Sequence, residues 1–405
     1  MNQSPQKNKQ YGSIIKLFLF VGLVWASIVA PFSSVIILVH MGATAPQIGI
    51  FSALGAGISV LCQPMWGFFS DHTRSPRRIL SICLGASAIF FGSVLLTDSL
   101  YIAALLMLVD IAFRCSVIPL LDSHTLLEIS FIPKLQYGHI RVAGSLFYGL
   151  MSLFFSWLIN VRGVMSIILV SIFLAAIAVF WGLFVAKGKG EKENLEREHK
   201  EKADLKKDAL SLLKNKGYIL FVLYVSFSFL AGAPLINFAI EYVNVIGGTA
   251  ADVPMMFFLR CMVEIVIFII ISSLSNRLST KYILTIGMGF TLVYVTGLLF
   301  TDTMTRFFTF HTIGSVGFTA NVIGRMRFLR ENAPPSVLST SITLMASCEV
   351  VIGAIIGNLI AGYIIGTFGI QALTIYSLCA LFIAIIFLGV LHATVFREKP
   401  PEADS

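Results

Sequence analysis

Long apolar stretches follow one another along the whole chain, interrupted by short polar segments. Each stretch has about the 20 apolar residues a helix needs to cross a bilayer. Barrel strands would instead alternate polar and apolar positions over about ten residues. Reading the runs between breakers predicts twelve spans, near 14–40, 45–69, 79–97, 101–129, 137–160, 163–186, 217–243, 252–273, 280–300, 304–326, 337–364 and 370–396. Between the sixth and seventh lies residues 187–216, KGKGEKENLEREHKEKADLKKDALSLLKNK, a mixed-charge run that reads as a solvated, partly helical linker. The expected fold is an all-α membrane protein of twelve transmembrane helices. A six-helix bundle over 14–186 and another over 217–396 are joined by that linker.

Composition agrees with this pattern. The 405 residues are 57% hydrophobic and 12% charged, against about 25% charged in soluble domains. The apolar run behind the basic N-terminus is too long for a signal-peptide core, so it is expected to be the first span. Orientation follows from lysine and arginine. All but five of the 29 lie on the side shared by both termini and the linker. Both termini are therefore expected in the cytoplasm, with the protein in the inner (cytoplasmic) membrane as a multi-pass protein. Of the five, Arg162 and Arg306 fall in opposite loops, while Arg114, Arg141 and Arg260 fall inside the spans.

Several function classes are disfavoured. The six cysteines sit in apolar segments without CxxC spacing, so neither a disulfide framework nor a metal site is expected. HExxH, GxSxG and glycine-rich phosphate-loop motifs are absent from the sequence, so no enzyme and no cofactor are expected. The net charge of +8 is spread over loops beside spans, which points to no nucleic-acid partner. The two halves look duplicated: FSDHTRSPRRILSICLG (69–85) and LSNRLSTKYILTIG (274–287) follow the second and eighth spans. Duplicated halves around a midplane site mark secondary transporters.

Charges inside the spans are the candidate chemistry, because an intramembrane arginine costs roughly 3 kcal/mol on insertion scales. Asp122 lies eight residues before the 130–136 loop and Arg141 five after it, so an antiparallel hairpin brings them to similar depth. A carboxylate and a guanidinium can pair bidentately, either as structure or at a substrate site. Asp110, Arg114 and Asp122 share one helix face, which can line a cavity, although Asp110–Arg114 can equally be an internal pair. Glu264 lies about 18 Å into its span at 1.5 Å per residue, with Arg260 four residues earlier. Glu349, in LMASCEVVIGAIIG, has no sequence-local cation and is expected to be neutral, solvated or paired across helices.

GFFSDHTRSPRR (67–78) resembles the cytoplasmic loop motif of the major facilitator superfamily. That resemblance implies a gating loop of Asp71, Arg74, Arg77 and Arg78, with Ser75–Pro76 standing where the family has a glycine. IPLLDSHTLLEI (118–129) and YGHIRVAGS (137–145) resemble a hairpin of the lactose permease and phenylpropionate permease group of proton symporters. This implies substrate binding by Asp122, Arg141, Tyr148 as an aromatic platform, Glu264 and His311. It departs from that group at Gly314 and Tyr294, where the group's coupling glutamate and its assisting arginine stand. Asp122, Glu264 and Glu349 are the remaining proton-coupling candidates. The implied function is a secondary active transporter that moves a sugar, nucleoside or aromatic acid by alternating access with proton symport. Its partners are a small-molecule substrate, protons and the lipid bilayer, and it is expected to be a monomer. A uniporter, a drug or metabolite exporter and a transporter-shaped sensor are the alternatives; residues 137–160 lack the proline of many exporters.

Overall fold

A computed structural model describes residues 4–73, 75–129, 137–185, 214–274, 278–332 and 338–396. Most of the predicted 187–216 linker lies outside the described residues. Within them every element is helical and no strand occurs. The α-helices of the first half are α1 (Ser4–Ser27), α2 (Val29–Phe32), α3 (Ser34–His40), α4 (Ala45–Thr73), α5 (Pro76–Ser93), α6 (Leu100–Arg114), α7 (Val117–Ile129), α8 (Tyr137–Arg162) and α9 (Ser166–Phe180). The second half has α10 (Lys216–Asn237), α11 (Ala239–Val245), α12 (Asp252–Leu274), α13 (Thr280–Leu298), α14 (Met304–Asn332), α15 (Leu338–Cys348), α16 (Gly357–Phe368) and α17 (Ile370–Thr394). Two π-helical stretches, Trp181–Val185 and Glu349–Ile356, continue α9 and join α15 to α16. Among the described residues, ten helices are long and apolar enough to cross a membrane. Met304–Asn332 is long enough but carries Arg306, His311, Asn321, Arg325, Arg327 and Arg330.

Three predicted spans, 14–40, 101–129 and 217–243, are interrupted rather than continuous, and proline explains the first two. Pro31 has no N–H for the carbonyl of Ser27, four residues back, and α1 stops there. The freed carbonyl accepts a hydrogen bond from Ser171 Oγ of α9 at 2.6 Å. Pro119 likewise withholds a donor from Cys115, where α6 gives way to α7.

Packing divides the chain into two compact units. The first comprises Met1–Ala43, Gly57–His199 and Thr249–Met262; the second comprises Thr44–Ala56, Lys200–Gly248 and Val263–Ser405. Two segments therefore pack away from their own half, and small residues account for both. In the second unit, a β-carbon on Gly49 of α4 would lie 2.6 Å from the Asn358 carbonyl oxygen and 3.0 Å from Gly362 Cα. In the first, a β-carbon on Gly149 of α8 would lie 3.2 Å from Cys261 Cβ of α12. At Gly49 only glycine permits such approach, and at Gly149 a larger residue would have to push the Cys261 and Met262 side chains aside.

The first unit centres on Phe20 and Val24 of α1, Leu80 and Cys83 of α5, Leu121 of α7, Ala143 of α8 and Ala178 of α9. In the second, Phe221 of α10 stacks on Phe328 of α14 with centroids 3.9 Å apart. The α13–α14 seam is equally tight: a β-carbon on Gly317 would sit 2.6 Å from Thr291 Oγ1 and 2.9 Å from the Gly287 oxygen. Gly389 has nothing within 4 Å of its β-carbon position. Gly317→Ala should therefore lower stability by about 1–3 kcal/mol through overpacking. Gly389→Ala should leave it within about 0.5 kcal/mol. Thermal unfolding of the two variants in detergent measures the contrast.

Candidate functional site

In the first unit, α1 and α8 set Arg141 against an aromatic wall. The Arg141 guanidinium carbon lies 4.2 Å from the centroid of the Trp25 ring. A cation over an indole face is worth about 2 kcal/mol or more when desolvated, which offsets much of the cost of placing it there. Gly144 makes the approach possible, because a β-carbon there would lie 2.6 Å from Trp25 Nε1 and 2.8 Å from Arg141 Nη1. Tyr148 meets Trp25 edge-on at 6.0 Å and Phe257 of α12 edge-on at 6.3 Å. Arg141, Trp25, Tyr148 and Phe257 thus form one contiguous cluster within the unit. The indole N–H of Trp25 is buried and has no hydrogen-bond partner among the described residues. Asp122 is half-buried on α7, which packs against α8.

The other charges of this unit are settled differently. Asp110 is fully buried, and its Oδ2 accepts from Arg114 Nε at 3.0 Å. Its second oxygen accepts from Ser87 Oγ of α5. That geometry answers the open alternative: Asp110–Arg114 is an internal pair, and no wetted polar face runs through Asp110. Ser87 escaped the sequence reading, since a serine in an apolar run carries no signal of its partner.

In the second unit, His311 is fully buried, its Nδ1 3.0 Å from the Phe307 oxygen. The Tyr294 ring stands edge-on to it at 5.1 Å. A β-carbon on Gly314 would lie 2.8 Å from Tyr294 Cγ, so Tyr294 fills the space a side chain at 314 would need. Glu264 is half-buried on α12, and Arg260 of that helix is buried. Glu349 is paired across helices with Arg325 of α14. Counting Arg325 with the cytoplasmic loop cations hid this partner, although it lies inside the predicted 304–326 span.

The profile of the MFS_1 like family matches residues 13–378. The chain belongs to that family. It is 23% identical over 260 residues to the "uncharacterized transporter YwbF" of Bacillus subtilis (strain 168), covering 64% of this chain and 63% of that protein. It is 27% identical over 146 residues to the maltose permease of Geobacillus stearothermophilus, covering 36% and 37%. The chain thus matches less than two thirds of the length of these curated relatives. Its fold resembles the crystal structure of the nucleoside transporter NupG, with TM-score 0.75, 15% identity, and 96% and 99% of the two chains covered. It also resembles a bacterial homologue of the human lysosomal transporter Spinster, with TM-score 0.71, 13% identity, and 99% and 100% covered. These relatives and fold neighbours are membrane transporters, not enzymes.

In this MFS_1 like chain two residues of the expected gating loop have described side chains. Arg77 is buried and its Nη1 donates to the Gly182 carbonyl and, at 3.0 Å, to that of Leu183. It ties the start of α5 to the π-helical end of α9. Arg78 is exposed. Arg74 and the side chain of Asp71 lie outside the described residues. The pair inside the bundle gives a direct test. Asp110→Ala should cost about 3–5 kcal/mol, because it leaves Arg114 buried without its carboxylate. The double variant Asp110→Ala/Arg114→Leu should recover most of that loss when thermal unfolding is compared.

Proposed function

We propose that this chain is a secondary active transporter working by alternating access. Its twelve spans would form two six-helix bundles over 14–186 and 217–396, with both termini in the cytoplasm and the protein a monomer in the inner membrane. Its solute is a small polar or aromatic molecule. Arg141 on Trp25 beside Tyr148 is the observation that carries this reading. A fixed cation next to aromatic rings and an unpartnered indole N–H fits a solute with both a planar or ring face and oxygen acceptors. Sugars, nucleosides and aromatic acids share that description. A maltose permease among the relatives and a nucleoside transporter among the fold neighbours support the first two classes. Asp122, Glu264 and His311 complete the proposed binding set.

Proton symport is the proposed mode, with Asp122, Glu264 and Glu349 as its acids. One observation favours a uniporter as the second reading. Tyr294 packed on Gly314 leaves no room there for a coupling carboxylate. Accumulation in proteoliposomes separates the two, using labelled uridine, maltose and phenylpropionate with and without an inward proton gradient. One of these probes should accumulate only with the gradient. Trp25→Ala and Arg141→Ala should each slow its uptake about tenfold or more, the scale of a lost desolvated cation–π contact. Equilibration that ignores the gradient would establish the uniporter, and binding without flux of any probe would rule out transport.

A further inference from the structure

The second unit holds a cross-helix charge pair that the binding cluster does not use. Arg325 Nη1 of α14 donates to Glu349 Oε1, and each side chain is 13% exposed. We propose that Glu349 is a proton-binding site of this chain and that Arg325 is the positioning residue that drives the proton off. The contact closes when the acid is ionised and opens when it is protonated. For what the proton drives, this inference rests on the symport reading above.

Three features separate this pair from a structural one. First, it is under-satisfied. The Nε–H of Arg325 is buried and has no hydrogen-bond partner among the described residues, whereas Asp110 engages both of its oxygens. A buried pair that stabilises needs its remaining donors met. Second, Glu349 opens the π-helical stretch Glu349–Ile356. Such wide turns loosen the backbone ladder and gather at functional positions. Third, the pair bridges α14 and the α15–α16 column, whereas Asp110 and Arg114 lie on one helix. Opening it releases one element from another within the unit.

The surroundings leave Arg325 as the cation that faces Glu349 in the described contacts. The elements packed on the π-helical stretch are α10, α15 and α16. From α10 come the phenols of Tyr218 and Tyr224, which donate to the Ser341 carbonyl at 2.8 Å and to Asn321 Oδ1 at 2.6 Å. Cys348 precedes the acid in α15, and Tyr363 of α16 is exposed. Asn321, one turn before Arg325, continues to Thr291 Oγ1 at 3.4 Å, so a polar layer adjoins the pair. On proton binding, a water-borne proton forms an O–H bond to the Glu349 carboxylate and the N–H···O contact breaks. On release that O–H bond breaks, the proton leaves to water and the contact re-forms. Arg325 keeps its charge throughout, as guanidinium groups do in proteins.

Infrared spectra of the reconstituted full chain test the site without requiring transport. A protonated-carboxyl band should appear at acid pH, vanish toward alkaline pH and be missing from Glu349→Gln. Its midpoint should move up in Arg325→Gln, which removes the cation that favours the carboxylate, and return toward wild type in Arg325→Lys. Folding of Glu349→Gln is secured by the double variant Arg325→Gln/Glu349→Gln, which leaves no lone buried charge. In proteoliposomes Glu349→Gln and that double variant should both lose gradient-driven accumulation of the transported probe about tenfold while keeping a cooperative thermal unfolding transition. A carboxyl that stays ionised throughout, or accumulation by Glu349→Gln equal to wild type, would overturn the proposal. Titration of the band in a wild-type chain that moves no probe would sustain the site and sink the transporter reading instead.

Discussion

Hydrocarbon offers a polar group no partner, and the architecture follows from that single deficit. Each backbone N–H and carbonyl must be satisfied inside the protein, which restricts lipid-exposed spans to helices or closed barrels, and this chain uses helices. Where a proline breaks the ladder, a neighbour has to intervene. Ser171 donating to the Ser27 carbonyl is such an intervention, and it pins α9 to the interruption between α1 and α2. Arg77 does the same for the end of α9, supplying donors to two carbonyls where the helix widens to a π turn. Local breaks thereby become tertiary contacts.

The same deficit sorts the charged side chains. Asp110 is met on both oxygens, by Arg114 on its own helix and Ser87 on the next, and functions as a sealed structural unit. Arg141 rests on the face of Trp25, an attraction that engages the guanidinium through its charge and not through a hydrogen bond. Arg325 meets Glu349 with its Nε–H unmet among the described residues. The three arrangements rank in how completely the charge is compensated, and the least complete are the two proposed above to bind solute and proton. Glycines permit each ring to reach its place, Gly144 under Trp25 and Gly314 under Tyr294.

How much of this could be read from sequence depends on the range of each interaction. The helical class and most span positions follow from hydropathy alone, since crossing a bilayer is a property of one segment. The Asp110–Arg114 pair was legible too, because its i,i+4 spacing is local. Proline positions also encoded the breaks near residues 28 and 115, through the four-residue offset of the helical ladder. Trp25 against Arg141 was not legible: the partners lie on different helices, and an aromatic in an apolar run has no distinguishing mark. Arg325 sat at the boundary where a cation reads equally as loop or lining. The placing of α4 and α12 segments in the packing units goes with close contacts at Gly49 and Gly149, which no hydropathy pattern records.

Gly314 and Tyr294 leave the contact between them without a carboxylate. A glycine and a tyrosine facing across α13 and α14 are complementary in shape, the ring occupying the volume that the missing side chain vacates. A carboxylate added at position 314 alone would collide with that ring, and an arginine at 294 alone would face His311 without a counter-charge. In this chain the two positions are packing. Under the proposed symport, proton binding by the second unit falls to an acid outside this seam. Glu349 is such an acid, with a cation in contact and a helical turn already widened beside it.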